Sequence, residues 1–201
     1  GSPAMDRGDK IHKLAEAYVK GEGRAFPKEL DKFKDAFKDL RARRKKAPNA
    51  VLLEDTWAFR ADWTETVWND WRGCWLRIKT DLTEVDGAVI RVIDHKTGKF
   101  SPQWNVDKYL EQLELYALGG LLKFQHLGPG LTVTPRLQYL DHGIVYPEEP
   151  KVYVPKDVPA LKKKWERRVK PMFADKKFAP KPNRWCATCH FRKDNQGPCQ
   201  F

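Results

Sequence analysis

The chain has 201 residues, 41% hydrophobic and 32% charged, with eight Trp, ten Phe and six Tyr. A chain of this size buries roughly 70% of its unfolded surface, so it needs no disulfide staples, and its aromatic content excludes disorder as the main state. The longest apolar stretch, Leu115 to Leu122, falls far short of the ~20 residues of a bilayer span, and no signal-peptide core is visible at the start, so a cytoplasmic setting is expected. Gly1-Ser2-Pro3-Ala4-Met5 reads as an expression remnant, leaving 6–201 as one domain. Within it, 6–48 reads as N-terminal helices, 49–154 as a core, and 155–201 as a basic helix and metal-binding tail.

In chain order, Ile11, Leu14, Ala15 and Tyr18 recur at helical spacing, as do Leu30, Phe33, Phe37 and Leu40, which predicts two amphipathic helices joined near Gly21 to Pro27. The basic run Arg41 to Lys46 closes the second helix, and Pro48 stops it. Short β-favouring runs follow at Val51 to Phe59, Cys74 to Leu82 and Ala88 to Asp94. Glu84-Val85-Asp86-Gly87 reads as the hairpin turn between the last two. With that turn, Asp81 and Asp94 would not stand opposite one another in regular pairing. Trp63, Trp68 and Trp71 fall in a polar loop, where they either seal the sheet edge or stack on bases. Val106 to Phe124 reads as a helix with Tyr109, Leu113, Tyr116, Ala117 and Gly120 on one stripe. Strands return at Leu131 to Leu140 and Gly143 to Tyr146, with a third at Lys151 to Val154 left open, and Asp157 N-caps a last helix to Val169. The order defines an α/β protein with a mixed central sheet flanked by helices.

Charge is uneven. Residues 1–48 hold 14 basic and 8 acidic side chains, 49–150 hold 10 and 15, and 151–201 hold 14 and 4. Basic flanks suit a polyanion, and an acidic centre suits divalent cations. Together they suggest a metal site in a phosphate-binding cleft; solvated lysine-rich helix faces are the plain alternative. Along the strand Asp94 and Lys96 point to one face and His95 to the other. An aspartate beside an ammonium can hold a cation, orient water and offset phosphate charge.

Four features occur in one order. Gly8-Asp9-Lys10-Ile11-His12 puts a Gly-x-x-x-His pattern on the first helix, Asp81 sits on a strand, Asp94-His95-Lys96 ends the next, and Gln112 and Tyr116 follow on a helix. This set resembles the RecB-like branch of the PD-(D/E)xK nuclease superfamily. The resemblance implies a restriction-endonuclease-like core that hydrolyses DNA with one or two Mg²⁺ or Mn²⁺ ions. His12, Asp81, Asp94 and the main-chain carbonyl of His95 would be the ligands, with Lys96 positioning water and stabilising phosphate charge. Gln112 and Tyr116, at i and i+4, would face the site and hold the DNA backbone or the lysine.

Cys186-Ala187-Thr188-Cys189 and Cys199 have ligand-like spacing in a tail with little core of its own. The motif resembles the tail of iron–sulfur RecB-type and CRISPR-associated exonucleases, where a distant fourth cysteine completes a [4Fe–4S] cluster. In those relatives that cysteine precedes the helix-borne histidine, whereas Cys74 follows His12. Three arrangements follow: Cys74 substitutes, the ligand lies outside this sequence, or His190 completes a Cys₃His zinc site. Free or buried thiols without metal are a fourth. The resemblance favours exonuclease action on single strands or DNA ends; structure-selective endonuclease action and a catalytically silent nucleic-acid-binding module are the rivals.

Overall fold

A computed structural model describes residues 2–23, 25–100, 102–177 and 179–199, with backbone alone at 102–107. The chain forms two compact units, residues 1–162 and 163–201.

The first unit opens with α1 (Pro3–Lys20), capped by the Ser2 side chain on Met5 N and closed by Gly21. The residues that read as an expression remnant thus supply the N-cap and first turn of this helix. A 3₁₀ turn (Lys28–Phe33) leads into α2 (Lys34–Lys46), whose last turn holds four basic residues where the helix dipole favours them. The strands are β1 (Val51–Phe59), β2 (Glu65–Thr66), β3 (Leu76–Asp86), β4 (Val89–Lys96), β5 (Thr132–Tyr139) and β6 (Ile144–Tyr146). They form one mixed sheet in the order β2-β1-β3-β4-β5-β6; only β4 and β5 run parallel. The crossover between those two is α3 (Pro102–Lys123).

Strand β3 continues to Asp86, and the turn tip is Gly87-Ala88, with Gly87 at φ 55° and Asp86 paired to Val89. The acidic residues Glu84 and Asp86 looked like turn formers, but they lie on the ladder opposite Arg91 and Val89. This two-residue turn sets the register, which ends at Leu82↔Ile93, with Asp81 and Asp94 just beyond the last pair. At Lys151 to Val154, where a third strand stayed open, there is a single bridge, Tyr153 to Val133. Asp157 ends a 3₁₀ turn and accepts from Val154 N, while α4 runs Val158–Ala174. No helix among the described residues is long and apolar enough to cross a membrane.

One face of the sheet carries α1 and α2 over a core of Ile11, Ala15, Val19, Phe37, Leu40 and Leu82. The other carries α3, which packs so closely that a Cβ at Gly119 would lie 2.4 Å from Ile78 Cδ1 and 2.9 Å from Trp57 Cε3. Trp57 is fully buried and has no room to yield. Gly→Ala in an open helix gains up to about 1 kcal/mol, but overpacking a core costs about 1–3 kcal/mol. Gly119→Ala is therefore expected to destabilise, seen as a lower urea midpoint with unchanged slope; a raised midpoint would refute this close approach.

Candidate active site

The site begins with an irregularity in β1. Val51 and Leu53 face α1 and α2, whereas Trp57 faces α3, although all have the same parity. Glu54 accounts for the reversal: its φ of 51° lies in the left-handed region that a glutamate rarely adopts. The ladder between β1 and β3 holds Leu53↔Leu82 and Asp55↔Thr80 and omits the pair between them, Glu54 and Asp81. β3 reverses at the same point, for Ile78 touches α3 while Leu82 joins the α1–α2 core. Glu54 and Asp81 thus sit at the gap in the β1–β3 ladder, and Asp81 and Asp94 lie just past the last β3–β4 pair. Such local distortions cost of order 1–3 kcal/mol and cluster at functional sites.

His12 reaches these carboxylates from α1. Its Nδ1 lies 3.3 Å from Asp81 Oδ1, and single ligand atoms of His12, Glu54 and Asp81 all lie within 4.8 Å of one another. The other Asp81 oxygen accepts from His95 N at 2.6 Å, so the carboxylate bridges α1 and β4 where the β3–β4 ladder ends. The hydrogen bond with Asp81 raises the His12 pKa above its ordinary value, against the pull of burial. Burial pushes the Asp81 carboxyl up, but the His12 hydrogen bond and the His95 amide carry it below the usual range. Glu54 is also paired with Lys79. Glu54 was not foreseen; the signal was two adjacent carboxylates, Glu54-Asp55, inside a nine-residue strand with both ends buried.

Asp94 belongs to the α3 side. Its Oδ1 accepts from Tyr116 Oη at 2.8 Å and Gln112 Nε2 at 2.9 Å, and its Oδ2 is 2.6 Å from Lys96 Nζ. Lys96 Nζ also lies 3.4 Å from Gln112 Oε1. The i, i+4 pair on α3 therefore grips the carboxylate itself. Burial holds the Asp94 carboxyl above the usual range despite Lys96, with Asp81 adding to the effect. Burial and Asp94 likewise keep the Tyr116 phenol protonated, so it donates. The His95 ring lies on the opposite face, 5.6 Å from Phe37 and 5.9 Å from His12, and burial lowers its pKa to about 4. The ring is part of the core; the backbone of His95 is what faces the site. The expected residues thus form two adjoining groups, His12 with Asp81 and Asp94 with Lys96, Gln112 and Tyr116, joined through the His95 amide.

The segment after Lys96 is fastened to the rest of the unit. Asp141, just past β5, accepts both Arg7 terminal nitrogens at 2.7 and 2.9 Å and Gly98 N at 2.6 Å, and His142 Nε2 lies 2.7 Å from Gly98 O. Gly8 lies against this segment: a Cβ there would sit 3.1 Å from Thr97 Oγ1, which gives the Gly-x-x-x-His pattern a packing reason. Asp141→Ala is expected to speed amide exchange at Gly98 and to leave the amides of α3 unchanged. Unaltered exchange at Gly98 would show that the fastening is not needed.

Two carboxylates and an imidazole form an oxygen-rich donor set that fits a hard divalent cation, with the nitrogen favouring Mn²⁺ over Mg²⁺. The buried carboxylate of Asp94 beside them adds negative charge that a cation would neutralise. Among the described residues no other group of three His, Cys, Asp or Glu ligands is this close. In the second unit, Asn183 N donates to Cys186 Sγ at 3.3 Å, Cys189 N to Cys186 O at 3.2 Å, and Arg192 bridges to Cys199. Cys186, Cys189, Cys199 and His190 do not meet that spacing. Three cysteines and a neighbouring histidine can serve either a zinc ion or an iron–sulfur cluster. Cys74, in the first unit, has its thiol 3.4 Å from Leu76 O.

Fold and side chains define the class: a mixed-sheet α/β protein with an imidazole, carboxylates and a lysine gathered on β1, β3 and β4. The chain belongs to the PD-(D/E)XK nuclease superfamily, whose sequence profile matches residues 1–193. Nucleic acid is therefore its substrate class, and nucleases of this superfamily typically use divalent metals. No protein of curated function matches significantly. Similar solved structures include SSO0001, 13% identical over 90% of this chain and 94% of that one with a TM-score of 0.35. A protein from Eubacterium rectale, provisionally described as an exonuclease, is 14% identical over 94% and 79% with a TM-score of 0.36.

Proposed function

We propose that the protein is a Mg²⁺- or Mn²⁺-dependent deoxyribonuclease acting on single strands or DNA ends. The observation that carries this reading is the convergence of His12, Glu54 and Asp81 within 4.8 Å beside the Asp94–Lys96 pair. His12, Glu54, Asp81, Asp94 and the His95 carbonyl would hold the ion. A divalent ion there supplies charge neutralisation at the phosphate and acidification of a water molecule. Lys96, held by Asp94 and Gln112, offers an ammonium to the phosphoryl oxygens as negative charge develops on them and orients the attacking water. Tyr116 and Gln112 hold Asp94 in place, and Glu54, paired with Lys79 here, would be a ligand of the cation. The basic flanks at residues 1–48 and 151–201 would draw in the polyanion.

End-labelled single strands, blunt duplex and closed circular DNA, each with Mg²⁺, Mn²⁺ or a chelator, test this. Cleavage of the linear forms, none of the circle, and none with chelator is the expected result. Cutting of the circle would make the enzyme an endonuclease. No cleavage by any metal would make the chain a silent binding module.

For the tail we propose that Cys186, Cys189 and Cys199 serve an iron–sulfur cluster. An absorption band near 400 nm in anaerobically purified protein is expected, and a colourless protein would refute it.

A further inference from the structure

We propose that Trp71 and Arg77 form a binding site for one nucleotide of single-stranded nucleic acid, which feeds the cleft at Lys79 and Asp81. This rests on the nuclease reading above and adds to it the strandedness of the substrate and the side chains that select it.

The loop between β1 and β3 is braced. Asp70 accepts from Gly73 N and Thr66 Oγ1, both at 2.8 Å, and from Arg60 at 3.1 Å, while Cys74 N bonds back to Asp70 O. Trp63 is buried against Trp75, ring centroids 4.7 Å apart, so sealing of the sheet edge is accomplished by that pair. Trp71, at the apex of the same braced loop, is 79% exposed. A large indole held in water by an ordered loop contributes little to the core, and its open face is a surface on which a base can stack.

The indole is backed by a cation. The Arg77 guanidinium lies 4.6 Å from the Trp71 ring centre and 5.8 Å from that of Trp68, with its Nε donating to Trp68 O at 2.8 Å. This fixes the ring orientation. Arg77 Nη2 is shielded from water and has no acceptor of its own.

The placement along β3 links this platform to the candidate active site. Arg77 and Lys79 alternate onto one face, about 7 Å apart by strand geometry. Lys79 lines a cleft of about 390 Å³ with His12, Glu54 and Asp81. A strand stacked at Trp71 therefore reaches the carboxylates in two or three nucleotides. Bases inside a duplex offer no free face to an indole, so the site selects unpaired strands or frayed ends.

The test uses the whole chain with chelator present, so that nothing turns over. Anisotropy measures binding of a labelled oligothymidine of about twelve nucleotides and of a blunt hairpin duplex. Trp71→Ala is expected to weaken oligothymidine binding roughly five- to a hundredfold. Trp71→Phe should retain most of it, and hairpin binding should change less than twofold. Unchanged oligothymidine binding in Trp71→Ala, with wild type active, overturns this site alone and leaves Trp71 free for a protein partner. Equal loss on both probes overturns the strand selectivity. A wild type that binds neither probe overturns this site, whereas the nuclease reading is decided by the metal-dependent cleavage assay above.

Discussion

Lys96→Ala is expected to slow single-turnover DNA cleavage by about 10²–10⁴ while leaving DNA binding within a few-fold, because its ammonium acts mainly where charge develops. Nζ is held 2.6 Å from Asp94 and 3.4 Å from Gln112, so its position is set before substrate arrives. The substitution also removes the one charge that holds the Asp94 carboxyl down against burial and Asp81. Lys96→Arg should not rescue, since a planar fork cannot occupy the point-like place of an ammonium between Asp94 and Gln112. Single-turnover rates at saturating enzyme decide the matter: a rate equal to wild type would remove Lys96 from the chemistry.

Asp81→Asn should weaken Mn²⁺ binding by at least about tenfold, read by titration calorimetry, because loss of even an outer-shell partner costs that much. Asp81 touches His12 Nδ1 with one oxygen and His95 N with the other, so it unites the two halves of the site. Asparagine keeps the shape and one acceptor and removes the charge. Raised Mn²⁺ should restore part of the cleavage in this variant, whereas Lys96→Ala should bind Mn²⁺ at least as tightly as wild type and remain slow. The opposing behaviour of the two variants separates metal holding from phosphate stabilisation. Equal Mn²⁺ affinity in Asp81→Asn and wild type would refute the ligand role.

Much of the fold was legible because each long element carries a clear period. The apolar stripe of α1 and α2, the nine residues of β1 and the crossover helix follow directly from hydrophobic spacing. Boundaries failed where charge and strand coincide: Glu84 and Asp86 resemble turn residues yet pair across β3 and β4. That shift hid how close Asp81 and Asp94 lie to the end of the β3–β4 ladder, which depends on a turn of two residues. The pair Gln112 and Tyr116 was legible from i, i+4 spacing, but not its target, Asp94. Glu54 was illegible for a deeper reason. A left-handed φ in a glutamate follows from tertiary constraint, and no local propensity signals it.

One divalent ion is expected to bind where α1, β1 and β3 meet, bordered by Asp94 and Lys96. A crystal grown with Mn²⁺ and measured at its absorption edge tests this most directly. The prediction is a single strong anomalous peak within coordination distance of His12, Glu54 and Asp81. A peak elsewhere, or none there at saturating Mn²⁺, would contradict it.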